Sequence, residues 1–227
     1  EMFDLAKGPN IKTHERLSPF PGLGHDTYDI VLLSHAHEDH FDQKAQAWLG
    51  KATPMLCADH DAAALAEKGF AARALGHGQS RSFATASARV TITAVPAVHS
   101  LNTAISDILG LGNGYWLDIE TGGQTRRVYW AGDTYLAPPV DAFLAERPSP
   151  DLFIPHIGSV GVGGALGQLS MTGAQALDFA ERIAPARTLP VHHSTYALYL
   201  EPVSAMQSAA QEQHNLHVLD EGARIGL

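Results

Sequence analysis

The chain has 227 residues, a length that suits one large domain, 1–227, or a single core built of two halves. Its hydrophobic content of 45% supports such a core, and no apolar run approaches the ~18 residues that a transmembrane helix needs. With 24 acidic against 15 basic residues and a formal net charge of −9, non-specific binding to nucleic acid or to an anionic membrane is disfavoured.

Residues 1–27 read as irregular, with Gly8-Pro9-Asn10 and Ser18-Pro19-Phe20-Pro21-Gly22 as turn punctuation. Asp29 to Asp42 follows, reading D-I-V-L-L-S-H-A-H-E-D-H-F-D. Ile30, Val31, Leu32 and Leu33 form an uninterrupted apolar run, as expected of a strand buried on both faces. Just past it stand His35, His37, Asp39 and His40. Ligands so closely spaced cannot all share one face of a strand or helix, and suit a turn that fans them around a common point. Asp42 is placed to cap a short helix over 43–49, with Gly50 as its stop. Residues 53–58 read as a strand, 59–68 as a helix ended by Gly69, and 73–75 as another strand.

Residues 89–98 contain the β-branched run V-T-I-T-A-V, a half-buried strand that leads to His99. The segment 101–114 reads as a loop forming a lip over the site. Residues 115–120 and 127–130 read as a hairpin joined through Thr121-Gly122-Gly123-Gln124, whose second strand delivers Ala131-Gly132-Asp133-Thr134. Taken alone, Asp133 fits an Asx-turn at a strand end. Prolines open a helix over 138–147, and a strand over 151–157 leads into the glycine-rich stretch 158–167. That stretch lacks G-x-x-x-x-G-K-[ST], so it is not a nucleotide phosphate cradle. Thr172 and Gln175 fit a capping box for a helix over 174–183 with Ala174, Leu177, Ala180 and Ile183 inward. A core strand over 187–191 ends in His192-His193-Ser194-Thr195-Tyr196, then come a helix from Glu201-Pro202 and a short strand over 216–219.

H-x-H-x-D-H after an apolar strand resembles the signature of the metallo-β-lactamase superfamily, the binuclear metallohydrolases. His99 resembles the family's third histidine, and Asp133 in G-D-T its bridging carboxylate. His192 to Tyr196 resembles its terminal His-[aromatic]-Gly-Thr-[aromatic], with His193 in the first aromatic's place. That tail and the R-x-x-P-F-P-type segment from Arg16 to Pro21 are most similar to the branch of L-ascorbate-6-phosphate lactonase-like and N-acyl-phosphatidylethanolamine phospholipase D-like proteins. The resemblance implies an α/β (α+β) fold, a four-layer αββα sandwich of two mixed sheets with helices outside and metals at one rim. Relatives open with strands and an Asp-Pro turn not found in 1–27, so the first strands are expected to be missing in this numbering.

Histidine nitrogens and carboxylate oxygens suit zinc, with manganese or iron acceptable. Seven such ligands are too many for one tetrahedral ion and fit two ions sharing a carboxylate. A zinc finger competes poorly, because Cys57 is the chain's one cysteine. By resemblance, His35, His37 and His99 hold the first metal, Asp39, His40 and His192 the second, and Asp133 bridges. The implied activity is that of a metal-dependent hydrolase. It would use a metal-bridged hydroxide to cleave an ester-like bond (lactone, phosphodiester or amide) in a small molecule. Asp39 and Asp133 are the catalytic carboxylates in this reading, and His156, His193 and Tyr196 are candidates for substrate binding or leaving-group protonation. The alternative class is a metal-binding protein without turnover, or an iron oxidoreductase using the same cage.

His14, His25, His60, His77, His214 and His217 read as surface or satisfied side chains. Strand alternation predicts that His192 faces the site and His193 faces away. Cys57 cannot form an intrachain disulfide, which permits a reducing compartment, and a cytoplasmic location is the expectation. The chain opens at Glu1 without an initiating Met, so a removed N-terminal segment stays open. The expected partner is the small-molecule substrate, with no nucleic acid and no membrane span; homo-oligomerisation is left open.

Overall fold

The computed structural model describes residues 2–3, 14–17 and 28–227. Within the opening segment, β1 (Met2–Phe3) and β2 (His14–Glu15) pair antiparallel, which corrects the reading of that segment as wholly irregular. Strands of two residues are too short to leave a periodic signal. Ser18 to Pro21, the Gly8-Pro9-Asn10 turn and His25 lie outside the described residues.

The apolar run after Asp29 forms β3 (Val31–Leu32), which continues through Leu33 N–H donating to the Leu56 carbonyl at 2.9 Å. It pairs in parallel with β4 (Met55–Cys57), and β4 pairs in parallel with β5 (Ala72–Ala74). The connections are α1 (Gln43–Trp48) and α2 (Asp59–Glu67), crossovers of the kind parallel pairing requires. The expectation of two mixed sheets is therefore corrected: among the described residues, the strands of this sheet are all parallel. Asp42 caps α1 as expected, its Oδ1 accepting from Ala45 N–H at 2.6 Å. Gly50 plays no left-handed role, because α1 ends at Leu49 in extended backbone.

The second sheet has the order β10-β9-β8-β7-β6. It contains β6 (Ser80–Ala84), β7 (Ala88–Ala97), β8 (Gly112–Thr121), β9 (Gln124–Trp130) and β10 (Leu152–Ile154). Its first four strands in chain order run antiparallel, and β10 joins β9 in parallel. The turn between β8 and β9 is Gly122-Gly123, both at positive φ, as a tight hairpin with right-handed twist demands. Sequence reading passed over β6, an exposed polar edge strand whose pairing uses hydroxyls, Ser80 with Thr93 and Ser82 with Thr91.

Three apolar clusters define the layers. Met55 and Cys57 pack with Phe41 and Leu65, under α1 and α2. Leu56, the intervening residue of β4, packs with Ile92 and Tyr115 between the two sheets. Trp116 and Tyr129 point out of the second sheet's far face, into a cluster with Val140, Leu177, Phe179 and Met206. These come from α4 (Pro138–Ala145), α5 (Gly173–Ile183) and α6 (Val203–Ala209). Strand alternation thus sends successive side chains into different layers, and the αββα order follows.

Three local expectations need correction. The segment 101–114 contains a helix, α3 (Thr103–Leu109), capped by the Asn102 side chain and ended by Gly110, then the start of β8. Seven residues are too few to display helical periodicity against flanking glycines. On α5 the capping box of Thr172 and Gln175 is present, but Ala174 is exposed, and Ala176 and Phe179 complete the buried stripe. The expected strands over 187–191 and 216–219 reduce to bridges of Thr188 with Phe153 and Leu216, and of Val191 with His156.

Candidate metal centre

The site is assembled at the ends of strands from both sheets. After Leu33 the backbone turns, His37 carbonyl accepting from His40 N–H at 3.0 Å and from Phe41 N–H at 2.9 Å. Asp61 of α2 anchors this turn by accepting from Ala36 N–H at 3.0 Å. The result is the fan that the spacing predicts. The His35 ring centroid lies 4.3 Å from that of His37, 4.1 Å from His40 and 4.9 Å from His99.

β7 and the G-D-T turn are tied together by Thr134, whose Oγ1 accepts from Val98 N–H at 2.8 Å. That bond sets His99 beside Asp133. Gly132 has φ +65°, and a Cβ there would lie 2.7 Å from the Asn113 carbonyl and 3.1 Å from Ser34 Cβ. Glycine is required because the turn presses against both β8 and the H-x-H segment.

Ligand atoms of His35, His37 and His99 form one group, all within 4.8 Å of one another, and those of His40, Asp133, His156 and His192 form a second. Asp133 Oδ2 lies between them, 3.3 Å from His40 Nε2, 3.5 Å from His99 Nε2 and 3.6 Å from His192 Nε2. Asp39 Oδ2 stands at the edge of the second group, 3.2 Å from His192 Nε2 and 3.7 Å from His40 Nε2. The seven residues singled out for metal binding are therefore brought together, and His156 joins them.

His192 sits at φ +63°, not in the extended backbone that strand alternation assumes. It still reaches the site. Its Nδ1–H donates to the Ile157 carbonyl at 2.7 Å, which turns Nε2 toward Asp39 and Asp133. His193 turns back on its own chain, with Nδ1 3.0 Å from Ser194 Oγ and Nε2 3.3 Å from the Pro190 carbonyl. Tyr196 is buried and bridges Arg16 through its backbone, its ring 5.7 Å from that of Tyr199. Tyr199 is the neighbour that sequence reasoning missed: its ring centroid lies 4.2 Å from that of His192. Its only signal was a second tyrosine three residues after Tyr196. Of the other described histidines, His77 bonds the Gly112 carbonyl, His60 contacts Asp61, His214 contacts Glu181 and His217 bonds Asn215.

The electrostatics fit cations. Burial, reinforced by neighbouring histidines, lowers the pKa of His37 to about 4 and that of His35 well below its usual value. Neutral imidazoles with free lone pairs result, which is the form that binds metal. Burial also opposes charge on Asp39 and Asp133, yet the surrounding histidines outweigh it and hold both carboxyls below their ordinary range. Burial likewise opposes charging His192, but Asp133 and Asp39 raise its pKa to about 9. Two buried carboxylates thus draw positive charge into the site, a demand that divalent ions would meet. The donor set, imidazole nitrogen with carboxylate oxygen, fits zinc, manganese or iron.

The family model of the beta-lactamase superfamily domain matches residues 3–193. A UPF0173 metal-dependent hydrolase of Methanosphaerula palustris is 28% identical over 193 residues, covering 84% of this chain and 80% of that protein. One from Exiguobacterium is 32% identical over 173 residues, covering 74% of this chain and 69% of its own length. The fold is shared with an isothiocyanate hydrolase from Delia radicum gut bacteria, with TM-score 0.78 at 20% identity over 98% of this chain and 88% of that one. The matched stretch, residues 3–193, contains every residue of both clusters from His35 to His192, and the chain belongs to the metallo-β-lactamase superfamily.

Proposed function

We propose that this protein is a binuclear metal-dependent hydrolase acting on an ester-like bond, in a lactone, phosphodiester or amide, of a small molecule. His35, His37 and His99 would hold one ion, Asp39, His40 and His192 the other, and Asp133 would bridge; zinc is the first choice of metal. The observation that carries the reading is the position of Asp133 Oδ2, within 3.6 Å of histidine nitrogens from both groups. Its relatives' names, metal-dependent hydrolase, support the same class. When bound, two such ions supply a water acidified to about neutral pKa and an electrophilic pull on the scissile oxygen.

The chain's own groups do the rest. Asp133, the more buried carboxylate at 3% side-chain exposure, supplies fixed negative charge. Asp39 is more accessible, at 8%, and its Oδ2, 3.2 Å from His192 Nε2, adds negative charge at the second group. His192 is oriented by the Ile157 carbonyl, and the Tyr199 ring covers one side of it and restricts water there. No Ser-His-Asp or cysteine nucleophile is used; Cys57 is fully buried in β4, its thiol raised by burial to about 11.

Elemental analysis after zinc reconstitution, followed by a panel of lactones, phosphodiesters and amides with and without chelator, tests the proposal. Two ions per chain and chelator-sensitive turnover are expected. One ion per chain or fewer after reconstitution would refute the binuclear reading. Ions without turnover on any ester-like bond would favour the binding-protein alternative, and selective uptake of iron the oxidoreductase one.

A further inference from the structure

His156 falls within ligand distance of the second group, and proximity alone would make it a metal ligand. Its hydrogen bonds argue otherwise. Trp130, the last residue of β9, directs its indole Nε1–H at His156 Nε2 at 2.6 Å. An indole nitrogen can only donate, so Nε2 of a neutral His156 must accept. The single ring proton is then on Nδ1, which faces Asp133 Oδ1 at 2.8 Å. Both nitrogens are used, and no lone pair is left for an ion. The ring is also confined, lying within 4° of parallel to His40 and 15° of parallel to His192.

We infer that His156 is a positioning residue, held by Trp130 and Asp133 in the Nδ1–H tautomer, which pins Asp133 Oδ1 so that Oδ2 alone faces His40, His99 and His192. An unpinned carboxylate could rotate and chelate one ion with both oxygens. Pinning one oxygen reserves the other for sharing, in the way that outer partners orient ligands at other metal sites. The consequence for Oδ2 rests on the binuclear reading; the tautomer does not. The assignment also removes His156 from the groups available to protonate a leaving group.

Long-range proton–nitrogen NMR on 15N-labelled protein, metal-free and loaded with Zn2+, tests the tautomer directly. Nδ1–H on His156 is expected in both states, with a Trp130 indole proton shifted downfield by its short bond. Trp130→Phe is expected to keep the proton on Nδ1, where Asp133 Oδ1 still accepts it, and to shift the Nε2 resonance by removing its donor. In competition titrations with a Zn2+ chelator, His156→Ala should weaken the second ion by about 10–100-fold. His156→Asn, whose amide restores a donor near Nδ1, should recover most of that loss, which a purely structural role would not produce. The inference is overturned if His156 carries Nε2–H, if its Nε2 resonance moves on Zn2+ loading as a direct ligand's would, or if folded His156→Asn binds no better than His156→Ala. Failure of every form to bind Zn2+ would sink the binuclear reading and, with it, the assigned role of Oδ2; the metal-free spectrum would still decide the tautomer.

Discussion

Gly132→Ala tests how the Asp133 turn is built. The residue is held at φ +65°, where an L side chain costs about 1–2 kcal/mol. The added Cβ would also stand 2.7 Å from the Asn113 carbonyl, a backbone atom of β8 that cannot swing away. Overpacking of this kind costs about 1–3 kcal/mol. The sum, about 2–5 kcal/mol, is a large part of the ~5–15 kcal/mol typical of a folded domain. Gly69→Ala is the control, since Gly69 has φ +84° with nothing within 4 Å of an added Cβ, so only the backbone term of about 1–2 kcal/mol applies. Urea unfolding of both variants, beside wild type, should show the larger midpoint shift for Gly132→Ala with similar slopes. Because the next residue is Asp133, zinc titration should also show weakened binding for Gly132→Ala alone. Equal midpoint shifts for the two variants, with wild-type zinc binding in both, would refute the close approach of the turn to β8.

His192→Ala should lose the second ion by elemental analysis, while His193→Ala, whose ring turns to Ser194 and the Pro190 carbonyl, should keep both. The reverse pattern would mean that the site is closed by the other histidine. Cys57→Ser should leave kcat unchanged, since the thiol is buried away from the site, at a stability cost of about 1–3 kcal/mol for the buried hydroxyl. Loss of turnover with ions retained would revive a cysteine nucleophile. For the metal-free protein, stability should peak near the unperturbed histidine pKa of about 6.5. Below it, unfolded chains take up protons that His37 and His156, both lowered to about 4 chiefly by burial, refuse, so stability falls as pH drops. Above it, His192, raised to about 9 by carboxylates that outweigh its burial, keeps a proton that the unfolded chain releases, so stability falls as pH rises through 9. Urea midpoints rising steadily from pH 5 to 9 would contradict that balance of charges.

Much of the site was legible in the amino-acid order alone, because its chemistry is written in short spans. H-x-H-x-D-H packs its ligands into one turn, and the buried run before it fixes where that turn starts. His99 and Asp133 were picked out by their resemblance to the family's later motifs, since a strand-end position alone fits an ordinary histidine or an Asx-turn; Asp42, Thr172 and the Gly122-Gly123 turn are local devices whose geometry depends on neighbours in sequence. What tertiary structure decided are the properties set by distant contacts. The seven-residue α3 was hidden because its exposed, apolar Ile108 and buried Ser106 invert the usual pattern. His192 reaches the site through a left-handed backbone and the Ile157 carbonyl, 35 positions away, and no alternation rule carries that information. His156 is likewise defined by its partners: Trp130, 26 positions away, takes one nitrogen and Asp133, 23 positions away, the other. A sequence names the donors and acceptors; which nitrogen faces which oxygen is set only when the two sheets close on each other.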